Sequence, residues 1–222
     1  MKKTLGLFAA GLMAVSANAA NDVVKRLDAS ATVLHEIMAA PDKGIPQDLY
    51  GKAVCAIIVP GLKKGAFIIG GKFGRGFILC RKSGGGWSAP AAIKVEGGSF
   101  GLQLGGSSTD VVLLLMNQNG VDKLLQSKFT VGADGSAAIG PVGRSSSAAT
   151  DAQMHAEILS WSRARGVFAG ISLEGATLRP DEDSNQDLYR KSITNKEIVT
   201  GNVEPPASAS KLLAELNRYG AH

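Results

Sequence analysis

AVCAIIVPGLKKGAFIIGGKFGRGFILC, residues 53–80, is the stretch that decides how this chain folds. Its apolar runs, Ala53–Val59, Ala66–Ile69 and Gly76–Cys80, are short, rich in Val, Ile and Phe, and separated by glycine. Such runs read as β-strands, because branched and aromatic side chains pack well on a pleated surface and glycine punctuates it. The same texture continues through Phe100–Leu104, Val111–Met116 and a pair at Phe129–Val131 and Ala137–Ile139. Of the 28 glycines in 222 residues, 23 fall between Gly51 and Gly175. Glycine inside strands marks kinks and bulges that let a sheet curl. The expected fold class is α+β: a curved, partly closed antiparallel β-sheet, barrel-like, flanked by helices.

Helices are expected on both sides of this block in the sequence. Val23, Leu27, Ala31, Leu34 and Met38 recur at spacings of three and four, which predicts an amphipathic helix over 22–38, ended by Pro41 and Pro46. Packing of that helix on the sheet is expected rather than a position on lipid. A short helix is expected over 121–126. Thr150 with Gln153 forms a capping box for another, lined by Met154, Ile158 and Trp161 and ended by Gly166. A strand pair should follow over 167–178, and a last helix through Leu212, Leu213 and Leu216. Helices do not alternate with nearly every strand, which excludes a doubly wound parallel sheet.

The amino terminus reads as an address. Lys2 and Lys3 precede an apolar run from Leu5 to Val15, and Ala17-Asn18-Ala19 has the small-x-small form of a cleavage site. Residues 1–19 are therefore expected to be a signal peptide and 20–222 a single domain with a C-terminal helical extension. No stretch reaches the roughly 20 apolar residues of a spanning helix, and no cysteine follows the cleavage site to carry a lipid. A soluble periplasmic or secreted protein, peripheral to a membrane, is expected. In an oxidising compartment Cys55 and Cys80 can pair, worth on the order of 3 kcal/mol by chain entropy; otherwise they are two small buried side chains.

Charge is concentrated in one segment. Without Lys2 and Lys3 the 24 Lys+Arg become 22 against 19 Asp+Glu, too mild an excess for a nucleic-acid binder. From Gly51 to Gly106, however, eight bases (Lys52, Lys63, Lys64, Lys72, Arg75, Arg81, Lys82, Lys94) face one acid, Glu96. Such a block attracts anionic surfaces, unless its cations only solubilise strand edges.

Catalytic patterns are weak. Gly97-Gly98-Ser99-Phe100-Gly101 matches the G-x-S-x-G elbow, but no helix is expected after it, as that turn requires. Gly71-Lys72-Phe73-Gly74-Arg75-Gly76 has its glycines in the wrong order for a dinucleotide fingerprint. Asp181, Asp183, Asn185 and Asp187 alternate like the start of a calcium loop, yet Gln186 and Ser192 stand where that loop needs glycine and glutamate. Helix capping after Pro180 accounts for them better. Three histidines and two cysteines leave little for a zinc or iron–sulfur site, so no catalytic residue, metal or cofactor is expected.

Several segments together resemble the SYLF domain family. They are Gly65–Gly76, Trp87-Ser88-Ala89-Pro90, Gly97–Gly105, Thr109-Asp110, Gly140–Arg144, Ser160-Trp161-Ser162-Arg163, Gly166–Gly175 and Leu188-Tyr189, in order over roughly residues 25–200. Trp161 stands where that family usually has tyrosine. Members bind phosphoinositides and other anionic phospholipids; eukaryotic ones also bind actin and cooperate with SH3 or FYVE modules. The resemblance implies lipid binding here, and an exported bacterial protein is not expected to meet actin. Read with the charge, it implies that Lys72-Phe73-Gly74-Arg75 forms a tight turn with two cations around a ring, flanked by Lys63-Lys64 and Arg81-Lys82. A serine hydrolase built on Ser99 and an envelope module that binds protein or glycan are the alternatives.

Overall fold

The computed structural model describes residues 5–40, 43–66, 70–99, 105–126, 128–141, 155–164, 167–168 and 173–220, with side chains from Ala20 onward. Four long strands form the middle of one sheet: β1 (Cys55–Ala66), β2 (Gly70–Cys80), β3 (Ala91–Ser99) and β4 (Gly105–Leu115). Short strands extend it: β5 (Phe129–Thr130), β6 (Ala137–Ile139), β7 (Ile158–Ala164), β8 (Val167–Phe168) and β9 (Thr177–Pro180). The order is β5-β9-β3-β2-β1-β4-β7-β6, with β8 beside β7. Among the described residues every pairing of these strands is antiparallel except β6 with β7. The sheet curls into a half-barrel flanked by helices, as its glycine content led us to expect.

Both faces of the sheet are covered, and the central strands show why. On β1, Cys55, Ile57 and Val59 enter one core, with Val121 and Leu124 of α3 (Gln118–Gln126) and Ile198 of α5 (Asn195–Thr200). Ala56 and Ile58 enter the other, with Leu27 and Leu34 of α1 (Leu5–Met38) and Leu212 and Leu216 of α6 (Ser210–Gly220). A strand covered on both faces is apolar at every position instead of alternating, hence the unbroken runs. Each large side chain so buried contributes about 1.5–3 kcal/mol. The α1 stripe packs as predicted, with Val23, Leu27, Ala31 and Leu34 buried against the sheet. Helix α2 (Gln47–Lys52) follows it, and α4 (Glu182–Tyr189) and a 3-10 turn (Ala207–Ala209) complete the helical layer. Among the described residues no helix is long and apolar enough to cross a membrane.

Three expectations are corrected. The helix read across Ile158 and Trp161 is the strand β7. Ile158 faces one core while Leu159 and Trp161 face the other, so burial on both sides imitates helical spacing. The Trp161 indole N–H donates to the Pro141 carbonyl at 2.9 Å. The segments Phe129–Val131 and Ala137–Ile139 do not form a ladder with each other: β5 pairs with β9, and β6 with β7. Likewise β8 joins β7 and β9 joins β3, rather than one another. The expected strand at Phe100–Leu104, the Thr150–Gln153 capping box, Met154, Pro41 and Gly166 lie outside the described residues, as do Phe67, Ile68 and Ile69 of the expected Ala66–Ile69 strand.

Cys55 and Cys80 are joined by a disulfide between directly paired positions of β1 and β2, which resolves the alternative left open by the sequence. Farther along, β1 carries one extra residue between Val59 and Leu62. Gly61 takes φ +62° there, and its N–H donates to Asp110 Oδ1 at 2.9 Å. Asp110 also pairs with Arg163, which pairs with Glu36 on α1, so the bulge is tied to β4, β7 and the helix. Opposite it on β2, a Cβ on Gly76 would collide with the Ile58 carbonyl oxygen and lie 2.9 Å from Val59 Cα. Both are backbone and cannot swing aside. Gly76→Ala should therefore cost about 1–3 kcal/mol by overpacking, read as a lower urea midpoint. Gly71→Ala, with nothing within 4 Å, should stay within about 0.5 kcal/mol.

Candidate functional site

Along β1 and β2 the character changes past the bulge. Lys63 pairs with Phe73 and Lys64 with Lys72, near the end of the hairpin. Lys63 is exposed, Lys64 half-buried, and Phe73 is 46% exposed, a large apolar ring in solvent. Lys72-Phe73-Gly74-Arg75 is not the tight turn expected. It lies within β2, laddered to β1 on one side and β3 on the other. Because strand side chains alternate, Lys72 and Lys64 point to the face of the Ile57–Val59 core, while Phe73, Arg75 and Lys63 point to the α1 face.

The lysine pair is electrostatically loaded. Burial lowers the pKa of Lys64, and the neighbouring Lys72 lowers it further. Burial lowers that of Lys72 as well, opposed by Glu174. Like charges directly opposite on adjacent strands destabilise the pair, so a negative group placed between them relieves a standing repulsion.

Arg75 is engaged differently. Its Nε lies 3.4 Å from Asp181 Oδ2, and its guanidinium carbon stands 5.9 Å from the centre of the Phe73 ring. Asp181 is wholly buried, and Lys94 Nζ reaches its Oδ1 at 3.1 Å. It is also the N-cap of α4: the Ser184 hydroxyl donates to Oδ2 at 2.9 Å, and Arg26 on α1 donates to that hydroxyl at 3.2 Å. Burial, and then the like charge of Arg75, lower the Arg26 pKa. Asp181, Asn185 and their neighbours thus join elements instead of forming a calcium loop. Asn185 Oδ1 accepts the Ala92 N–H at 2.8 Å, and its amide donates to Asn195 at 2.6 Å, tying β3 to α4 and α5. The sequence signal was only the expectation of a helix cap after Pro180; the cations that meet Asp181 come from β2, β3 and α1 and leave no local pattern.

Arg81 and Lys82 are not brought to this patch. Nine strand positions of about 3.3 Å put Arg81 roughly 30 Å along β2 from Lys72. Its guanidinium donates to the carbonyls of Ala53 at 3.0 Å and Tyr50 at 2.9 Å, and stacks 4.5 Å from the Trp87 ring centre. Arg81 is a packing residue that fixes the end of α2. Lys82 is exposed at that same far end. Ser99 closes β3, paired with Gly70, and the chain is again a strand from Gly105. His155 is exposed ahead of β7. Among the described residues no cluster of His, Cys, Asp and Glu could hold a metal.

Residues 96–219 match the Ysc84 family, described as Las17-binding protein actin regulator. Over 176 residues the chain is 38% identical to an SH3 domain-containing protein of Schizosaccharomyces pombe, covering 78% of this chain and 41% of that protein. It is 33% identical over 180 residues to the SH3 domain-containing YSC84-like protein 1 of Rattus norvegicus, covering 81% and 53%. It is 34% identical over 178 residues to the LAS seventeen-binding protein 3 of Saccharomyces cerevisiae, covering 79% and 39%. The chain spans about half the length, or less, of these curated relatives.

Asp181→Asn leaves Arg26, Arg75 and Lys94 facing one another without their buried carboxylate. Removing one partner of a buried ion pair costs about 3–5 kcal/mol; with Arg75 half in solvent the loss should be on the order of 2–4 kcal/mol. Thermal or urea unfolding reads it, and a change below about 0.5 kcal/mol would show that Asp181 is not the hub of this cluster.

Proposed function

The chain belongs to the Ysc84 (SYLF) domain family, and from that premise we propose that it binds anionic phospholipid surfaces without catalysing a reaction. The binding end is that of the β1–β2 hairpin, through Lys63, Lys64, Lys72 and Phe73, with Arg75 at the margin. One observation carries this reading: two lysines directly opposite each other beside an exposed aromatic ring. Phosphate oxygens neutralise the cations while the ring enters the interfacial zone. A hairpin presented end-on offers both of its faces to the headgroups, so Lys64 and Lys72 act from one side and Lys63 and Phe73 from the other. Export belongs to the same reading, with cleavage after Ala19 placing the domain outside the cytoplasm beside a membrane.

A protein partner is the second reading, favoured by the name of the Saccharomyces cerevisiae relative and by the description of the family, both of which cite Las17 binding. Flotation with vesicles separates the two. The protein should float with vesicles containing phosphatidylserine or phosphoinositide and not with phosphatidylcholine alone, and salt should weaken the binding. Each cation near the surface is worth about 1 kcal/mol, so Lys63→Gln, Lys64→Gln and Lys72→Gln together should weaken binding by roughly a hundredfold. Lys82→Gln, at the far end, should not. Equal flotation of the triple variant would remove the hairpin from the account; no flotation of the unaltered protein would favour the protein partner. In an exporting bacterial host, intact mass should give Ala20 as the first residue of the recovered protein.

A further inference from the structure

At the opposite end of β1 and β2 the sheet borders a cavity of about 190 Å³. Its walls include Cys55 and Cys80, Gln118 and Val121 on α3, and Val199 and Thr200 on α5. One wall is therefore a disulfide, a covalent bond in this core that a small nucleophile can break and remake under mild conditions. We propose that this cavity is a thiol–disulfide exchange site that admits a low-molecular-weight thiol to the Cys55–Cys80 bond.

Size and exposure favour one direction of attack. The cavity is about six times the roughly 30 Å³ share of a water molecule, enough for the thiol-bearing end of a small molecule. Cys80 is 6% exposed and Cys55 0%, so Cys80 is the one of the two that meets solvent, and the proposed attack is on its Sγ. A new S–S bond forms between the small thiol and Cys80, the Cys55–Cys80 bond breaks, and its electron pair leaves on Cys55 Sγ, which takes a proton from water. A second small thiolate attacks the sulfur of the bound small thiol. It departs as a small disulfide, and Cys80 Sγ takes a proton, leaving two protein thiols. The exposed Lys82, which also lines the cavity, attracts an anionic thiolate toward the bond.

The fold also makes the step reversible. Ala56 stays paired with Leu79 on one side, and the Arg81 N–H donates to the Val54 carbonyl at 2.8 Å on the other. Ser88 Oγ accepts the Cys80 N–H at 3.0 Å. These bonds hold the two sulfurs at neighbouring positions after cleavage. Cys55 can then attack the mixed disulfide at Cys80 Sγ, expel the small thiolate and restore the original bond.

A structural disulfide without this access would be reduced only when the chain unfolds. The test incubates the full oxidised chain with reduced glutathione, quenches with acid and an alkylating agent, and maps the adduct by peptide mass. The rate is followed in urea below the unfolding transition. We expect a glutathione adduct on Cys80 and a rate that is flat in low urea. Lys82→Glu should slow exchange roughly two- to fivefold, the range of one exposed charge interaction. In Cys55→Ser, folded as judged by circular dichroism, oxidised glutathione should label Cys80 without denaturant. A wild-type rate that climbs with urea in step with global unfolding, or an adduct confined to Cys55, would overturn the proposal, and the wild-type measurement decides even if Cys55→Ser does not fold.

Discussion

The structure depends on one constraint: β1 is apolar on both of its faces, so neither face can be left to water. Cys55, Ile57 and Val59 call for one cover, and Ala56 and Ile58 for another. The chain supplies both, α3 and α5 on one side and α1 and α6 on the other. A helical layer on each face follows from the sequence of a single strand. So does the position of the hairpin end, because there the apolar requirement lapses: Lys63, Gly65, Gly71 and Phe73 are all exposed. The pair of strands that organises the interior also carries charge to the surface.

The bulge at Gly61 sets which charge goes where. Side chains alternate with a period of two, so one extra residue reverses every later side chain on the strand. It puts Leu62 on the same face as Val59, although the two are three residues apart. Lys64 follows Leu62 and lands opposite Lys72, whereas Lys63 lands opposite Phe73. Had the register run on from Ile58 and Phe77 without the bulge, the two lysines would exchange faces, with Lys63 opposite Lys72 and Lys64 opposite Gly71. The Asp110 carboxylate that accepts the Gly61 N–H is in turn held by Arg163. The geometry of the lysines is thereby linked to β4, β7 and α1, none of which belongs to the hairpin.

Much of this was legible in the sequence, and the boundary of legibility has a physical cause. Strands β1, β2 and β4 announced themselves because dense branched residues between glycines have few other uses. The α1 stripe was plain because a helix with one buried face repeats at 3.6. Strand β7 was misread since burial on both sides erases the period of two, and β3, AAIKVEGGS, was missed since alanine and glycine carry weak strand preference. Two short strands close in sequence suggested a local pair, yet β5 and β6 found partners elsewhere. The ion cluster was invisible for the same reason: Arg26, Arg75, Lys94 and Asp181 are brought together only by the folded sheet. Arg81 looked like a surface cation beside Lys82, and only the carbonyls of Tyr50 and Ala53 disclose what holds it.

The cations of the hairpin are not equivalent partners for a negative group. Arg75 already faces a buried carboxylate, Asp181, around which Arg26 and Lys94 are also arranged. An anion arriving near Phe73 competes with that arrangement and gains little from Arg75. Lys64 stands in the opposite position. Its partial burial and the neighbouring charge of Lys72 already disfavour its charged form, so an anion beside it recovers energy the folded protein has forgone, whereas Lys72 is buried, 9% exposed, and already favoured in its charged form by Glu174. Lys63, exposed and across from Phe73, lies between these extremes, with an ordinary surface charge to contribute. Within one small patch Lys64 therefore gains most from an incoming anion, Lys63 contributes a surface charge and Arg75 gains least, an order set by what each of these cations already has in the absence of ligand.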